Sequence, residues 1–110
     1  MITYDDFHKV EMYVGTIIAV EDFPEARKPA FKLTIDFGER MGVKRSSAQI
    51  TVLYTKEDLV GRQVIAVTNF PRKQIGKFFS EVLVLGSVDT EGVVTLLQPQ
   101  QSVENGLRIS

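Results

Sequence analysis

A chain of 110 residues, 44% of them hydrophobic, suffices for one core and not for two, so a single domain over residues 1–110 is expected. Cysteine is absent, which excludes disulfides, thiolate metal sites and cysteine nucleophiles and fits a reducing compartment. The formal charge of −1 conceals a segregation, −5 over residues 1–25, +7 over 26–77 and −3 over 78–110, so a chain with no overall basic excess can still present a basic face.

No apolar run is long enough to span a bilayer, and Asp5-Asp6 stand where a signal peptide would carry cations. A cytoplasmic protein without membrane insertion is expected. Thr3-Tyr4-Asp5-Asp6 has the spacing of a capping box and predicts one helical turn, whose Tyr4 and Phe7 need a surface to cover them. From Val10 to Val20 the chain reads as a strand. Met12, Val14, Thr16, Ile18 and Val20 share one face, and Tyr13, Gly15, Ile17 and Ala19 the other. Both faces are apolar, which predicts a helix or a partner on the outside and makes Tyr4, Phe7, Val10, Met12 and Tyr13 the expected contacts of a homodimer.

Asp22 to Ala26 break that strand, and Arg27, Lys28 and Pro29 prolong the loop. Phe31, Leu33, Ile35 and Phe37 then alternate with Lys32, Thr34 and Asp36, a half-buried antiparallel strand ended by Gly38. Val43 to Ile50 reads as another strand, carrying Lys44 and Arg45 outward. A second capping box, Thr55-Lys56-Glu57-Asp58, starts a helical turn that Gly61 stops. Arg62 to Gly86 is strand, basic loop, strand. Val64 to Asn69 alternate and Pro71 ends the ladder; Arg72, Lys73 and Lys77 sit beside Ile75, Phe78 and Phe79 around Gly76; Val82 to Leu85 predict a largely buried strand. Phe78 and Phe79 are neighbours, so one ring is expected in the barrel and the other in an apolar recess beside Ile75. Val93 to Leu97 form a last strand, and the polar tail from Gln98 holds an Asn105-Gly106 turn. Five or six short strands with two single-turn helices give an all-β, small antiparallel barrel.

The inventory contains no catalytic centre. His8 is the sole histidine, so neither a serine-type triad nor a multi-histidine metal site can be assembled. The acid pairs Asp5-Asp6, Glu21-Asp22 and Glu57-Asp58 stand at turns and caps, where backbone donors favour carboxylates. The glycines are spread one per turn and make no phosphate cradle. No enzyme activity, cofactor or metal is expected.

The blocks DFHKVEMYVGTI, DFPEARKPAFKLTIDFG, RSSAQIT and NFPRKQIGKFFSEVLVLG cover nearly the whole chain and resemble the bacterial CsaA proteins, in the tRNA-binding-domain branch of the OB-folds. The branch pattern of an Asn, a basic loop, a Gly and a Ser is matched by Asn69, Arg72, Lys73, Gly76 and Ser80. Where domains appended to tRNA synthetases follow that Ser with Gly-Met, this chain has Val82-Leu83. The resemblance implies a five-stranded OB-fold and a cytoplasmic homodimer. It also implies an export-related chaperone that binds unfolded precursor polypeptides and cooperates with the secretion motor ATPase, with tRNA as a further partner.

Two binding modes follow from the residues. Phe70, Ile75, Phe78 and Phe79 are the expected anchors for extended polypeptide. Arg27, Lys28, Lys44, Arg45, Ser47, Asn69, Arg72, Lys73, Lys77 and Ser80 are the expected contacts for a nucleic acid, with Phe31, Phe70, Phe78 and Phe79 available to stack bases. Salt separates the modes, since phosphate contacts weaken steeply with it and apolar anchors persist.

Overall fold

The computed structural model describes residues 1–110. In chain order its elements are α1 (Tyr4–His8), β1 (Met12–Asp22), β2 (Phe31–Asp36), β3 (Val43–Ala48), α2 (Lys56–Leu59), β4 (Gln63–Val67), β5 (Lys73–Ile75), β6 (Phe78–Ser80), β7 (Leu83–Val84), β8 (Gly86–Val88) and β9 (Val94–Leu96). Both short helices begin where the capping boxes place them. Thr3 Oγ1 accepts the Asp6 N–H at 3.1 Å while the Asp6 carboxylate accepts the Thr3 N–H at 3.0 Å, and Thr55 with Asp58 repeats the arrangement.

One antiparallel sheet runs β3-β2-β1-β4-β7, and the pairs β5-β6 and β8-β9 are separate hairpins. β1 organises it. Its first half pairs with β4, from Met12 opposite Val67 to Thr16 opposite Gln63, and its second half with β2, from Thr16 opposite Asp36 to Asp22 opposite Phe31. The register slips between Ile17 and Ala19. One extra residue there exchanges the two faces, so Tyr13 and Ile17 enter the core before the slip and Val20 packs on it afterwards. Val14, on the other face of the first half, is buried as well, while Ile18 at the slip is 48% exposed. Gly15 is required where β1 crosses β2, because a Cβ there would lie 2.6 Å from Ile35 Cγ2.

β2 supplies Phe31, Leu33 and Ile35 to the core in the expected alternation, and Leu59 from α2 is fully buried with them. β3 closes the barrel against residues 80–82 through side chains as much as through backbone. The Glu81 N–H donates to the Arg45 carbonyl at 2.8 Å, the Arg45 N–H to the Glu81 carboxylate at 3.1 Å, and the Ser47 N–H to Ser80 Oγ at 3.0 Å. Ser46, fully buried, donates its hydroxyl to the Val82 carbonyl at 3.0 Å. The result is a nearly closed five-stranded OB-type barrel.

One expectation changes. Val82 to Leu85 do not form one buried strand: β7 is two residues long and Leu83 is 48% exposed, because the chain there is spent on closing the barrel. The tail from Val103 is structural. Leu107 accepts the Val14 N–H at 3.0 Å, the Gly106 and Ile109 N–H groups donate to Val14 and Met12, and the Gln63 amide makes a reciprocal pair of bonds with the Val103 backbone. Main-chain bonds from the tail thus occupy the edge of β1 where its first half lacks β2.

Candidate binding site at the hairpin

β5 and β6 are joined by Gly76-Lys77, and Gly76 takes φ +62°, the value a two-residue hairpin turn asks of its first position. The pleat sorts the side chains. Ile75 pairs with Phe78, and Lys73 with Ser80, on the face toward the barrel; Gln74 and Phe79 share the outer face. Phe78 is buried and meets Phe23 edge-on at 5.2 Å, with Ala30 completing a small cluster against which Ala26 and Ile75 pack. Phe79 is 38% exposed and carries the Arg72 guanidinium 4.3 Å from its ring centre.

One ring is therefore inside and one outside, as the neighbouring positions require. The details differ from expectation in three ways. Phe78 enters the small cluster and leaves the main barrel core to others, Ile75 lies with Phe78 and not with Phe79, and Phe79 stands on the back of the hairpin under Arg72. It lines none of the three recesses around the hairpin.

Three adjoining recesses surround the hairpin's barrel face. At the foot of β5, Phe70, Pro71, Val82 and Leu83 give a hollow of about 420 Å³ its apolar walls, with Lys73, Ser80 and Glu81 at the rim. Along β5, a groove of about 530 Å³ lies between Lys73–Gly76 and the β1–β2 loop, and it brings Arg27, Lys28, Ser47 and Lys73 together. Beside it a third space of about 440 Å³ is bordered by Phe23, Lys32, Arg45, Ile75, Lys77 and Phe78. Lys73 borders the first two.

The cations fall into two groups. Arg45 is held at 2.7 Å by Glu21 and at 4.7 Å over the Phe78 ring, and Lys32 lies 5.5 Å over Phe23. Arg27, Lys28, Arg72, Lys73 and Lys77 have no carboxylate within ion-pair distance, the three such pairs in the chain being Lys9–Asp6, Arg45–Glu21 and Lys56–Asp22. These five are free to meet an anionic ligand.

Several expected contacts lie elsewhere. Lys44 pairs with Ile35 on the core side of β3, one residue out of phase with Arg45 and Ser47. Asn69 ties down the chain before β1, its amide accepting the Glu11 N–H at 3.0 Å and donating to the Lys9 carbonyl at 2.6 Å. Ser80 accepts the Ser47 N–H in the barrel seam. Phe31 is buried in the core and stacks nothing. Of the expected dimer contacts, Tyr13 turns inward with Arg40 and Arg108 over its ring, Phe7 and Met12 are half-buried, and Tyr4 and Val10 are exposed. Sequence reasoning missed Phe23, Lys32, Val82 and Leu83 as parts of the site. The outward position of Lys32 in the clearest alternating strand was the one available signal.

No cluster of three His, Asp or Glu side chains is placed to hold a metal ion, and no helix is long and apolar enough to cross a membrane. Unpaired cations and apolar hollows around a hairpin on a barrel make a surface for binding.

A putative tRNA binding domain matches residues 12–108. The chain belongs to the tRNA-binding-domain family. Among solved structures it is similar to the chaperone CsaA of Bacillus anthracis str. Ames, 51% identical over 100% of this chain and 99% of that one with a TM-score of 0.94. The CsaA chaperone protein of Picrophilus torridus is 54% identical, with both chains fully covered and a TM-score of 0.93. The likeness to CsaA read from the sequence blocks thus extends through the whole fold. Methionine–tRNA ligase 1 of Sorangium cellulosum is 38% identical over 109 residues, 97% of this chain and 15% of the ligase. The chain spans about 15% of the length of the ligases it matches, and the shared part is the tRNA-binding domain, which points to a non-catalytic binding domain.

Proposed function

We propose that this single-domain chain is an export-related chaperone, a binding module for extended, partly apolar polypeptide. The observation that carries it is the hollow at the foot of β5, where Phe70, 55% exposed, and Leu83 stand open beside Lys73. An apolar hollow with a charged rim suits side chains of an unfolded chain, anchored inside and steered from the edge. The similarity to two CsaA chaperones supports the same reading. We propose with it a cytoplasmic homodimer that binds unfolded precursor polypeptides and cooperates with the secretion motor ATPase. Support for the dimer is local: α1 buries no residue, and Tyr4, 85% exposed, belongs to a ten-residue stretch in which Met1, Ile2 and Val10 are exposed as well. Light scattering after size exclusion should give twice the 12.4 kDa chain mass; a monomer at micromolar concentration removes the dimer.

A second reading has its own observation. Arg27, Lys28, Ser47 and Lys73 line one groove, and the family match is to a putative tRNA binding domain, so a tRNA-binding protein acting as a dimeric RNA chaperone uses the neighbouring recess of the same hairpin. The deciding experiment is a competition in which labelled unfolded polypeptide on the protein is challenged with tRNA across a salt series. Polypeptide binding that persists at high salt and is lost in Leu83→Asp supports the first reading. Binding of tRNA alone, falling steeply with salt, supports the second.

A further inference from the structure

The β5–β6 hairpin turns one edge toward β3 and leaves the other, β5, with no strand beside it. In a hairpin closed by two residues the flanking pair, here Ile75 and Phe78, exchanges both main-chain hydrogen bonds. The next pair, Gln74 and Phe79, exchanges none, so the N–H and C=O of Gln74 point outward from the free edge. No loop or side-chain group bonds them; the Gln74 amide itself donates to the Gly76 carbonyl at 2.9 Å.

Alongside this edge runs the groove of about 530 Å³, with Glu25–Lys28 as its opposite wall. Ala26, Ala30 and Ile75, which pack with Phe23 and Phe78, give it an apolar floor. Arg27, Lys28 and Lys73, all without carboxylate partners, give it a basic rim on which Glu25 is the single acid.

We infer that β5 is a strand-addition site, in which an extended acidic polypeptide lies in the groove as a third strand, pairs its backbone with Gln74 and sets its carboxylates against Arg27, Lys28 and Lys73. A strand edge offers donor and acceptor at peptide spacing, which a polypeptide matches with both; a phosphodiester backbone only accepts. Residues two apart along the added strand face the floor, where the alanines leave room for Val or Thr, and those between face outward toward the rim. Because Lys73 also borders the hollow of Phe70 and Leu83, a chain leaving the groove past Lys73 continues into it. The inference rests on the polypeptide reading and adds to it a mode, main-chain pairing, and a class, acidic segments.

The test uses the intact chain and ten-residue fluorescein-labelled peptides alternating Glu with Val, read by anisotropy. N-methylation of every second amide blocks pairing along one edge of the peptide and spares the other. Methylation in one phase should weaken binding at least tenfold and in the other phase less than threefold. Exchange of Glu for Lys in the peptide, or Arg27→Glu with Lys28→Glu in the protein, should each cost at least tenfold. Equal effects of the two methylation phases overturn strand addition, and indifference to either charge exchange overturns the acidic class. If unfolded polypeptide binds and depends on Leu83 while the two phases behave alike, this inference fails and the polypeptide reading stands. If tRNA binds and neither peptide nor unfolded polypeptide does, both fail.

Discussion

Twelve buried residues, drawn chiefly from β1, β2, β4 and α2, fill the barrel, whereas three, Phe23, Ala30 and Phe78, hold the β5–β6 hairpin against it. The barrel's side chains interlock from several directions, and Leu33, Ile35, Leu59, Val64 and Ala66 are wholly inaccessible. Beneath the hairpin each ring has a cation over it, Lys32 on Phe23 and Arg45 on Phe78, and water reaches the spaces on either side. The contrast teaches where this fold can afford to open. A hairpin kept down by one buried ring and flanked by recesses belongs to the low-stability end of the molecule, and binding surfaces are drawn from that end.

The strongest way to break the comparison is to empty each core in turn. Phe37→Ala, at a fully buried position, should destabilise the whole chain by about 3–5 kcal/mol in urea unfolding. Phe78→Ala should cost less, about 3 kcal/mol at the low end for a buried Phe, and should speed hydrogen exchange at β5 and β6 while β2 keeps its protection. Equal global losses would mean that hairpin and barrel form one cooperative unit.

A smaller effect tests the seam between the two regions. Ser46→Ala leaves the buried Val82 carbonyl without its hydroxyl donor and should cost about 1–3 kcal/mol, measured as a shift of the urea midpoint at unchanged m-value. Smaller still is the stability cost of reversing free charges. Arg72→Glu with Lys73→Glu should change stability by less than about 0.5 kcal/mol while lowering tRNA affinity at low salt. An unchanged affinity would make those charges a solvated surface.

The least effect is expected at the exposed cap of α2, Thr55 with Asp58, and it is sharpened by pH. The Thr55 N–H and hydroxyl hold the Asp58 carboxyl below its ordinary value, so the cap's contribution is present at neutral pH and is lost as pH falls below 3.8 toward the folded value. Lys56 has the opposite sense: its bond to Asp22, with the attached charge, raises its pKa, so that contribution is full at neutral pH and lost only as pH rises through the raised value. Thermal unfolding of Asp58→Asn should differ from the parent at pH 7 and converge with it at acid pH. A constant difference would remove the cap from the titration.

Much of this architecture is legible without coordinates, where a local rule acts alone. Two Thr-x-x-Asp spacings give both helix starts because the capping bonds lie within four residues. The alternation of Phe31 to Phe37 gives β2 and its buried face, since the period of a strand sorts side chains regardless of what they meet. The opposed fates of Phe78 and Phe79 follow from the same period. The clustering of Arg27, Lys28 and Lys73 is foreshadowed by the charge of the middle segment, but their common groove is made by a loop and a hairpin some 45 positions apart in sequence.

What tertiary structure alone decided is each feature in which distant segments share one atom's choice of partner. The slip between Ile17 and Ala19 exchanges the faces of β1, and no residue there announces it. Asn69 and Ser80 have the side chains of a ligand site, yet Lys9, Glu11 and Ser47 claim their hydrogen bonds. Lys44 and Arg45 are neighbours with equal charge, so the strand period sends them to opposite faces, but only the register of β3 against β2 decides which of the two lies on the core side. A sequence lists the groups able to bind a partner; only the folded chain shows which have already been satisfied from within, because hydrogen-bond and packing partners are chosen across the barrel and not along the strand.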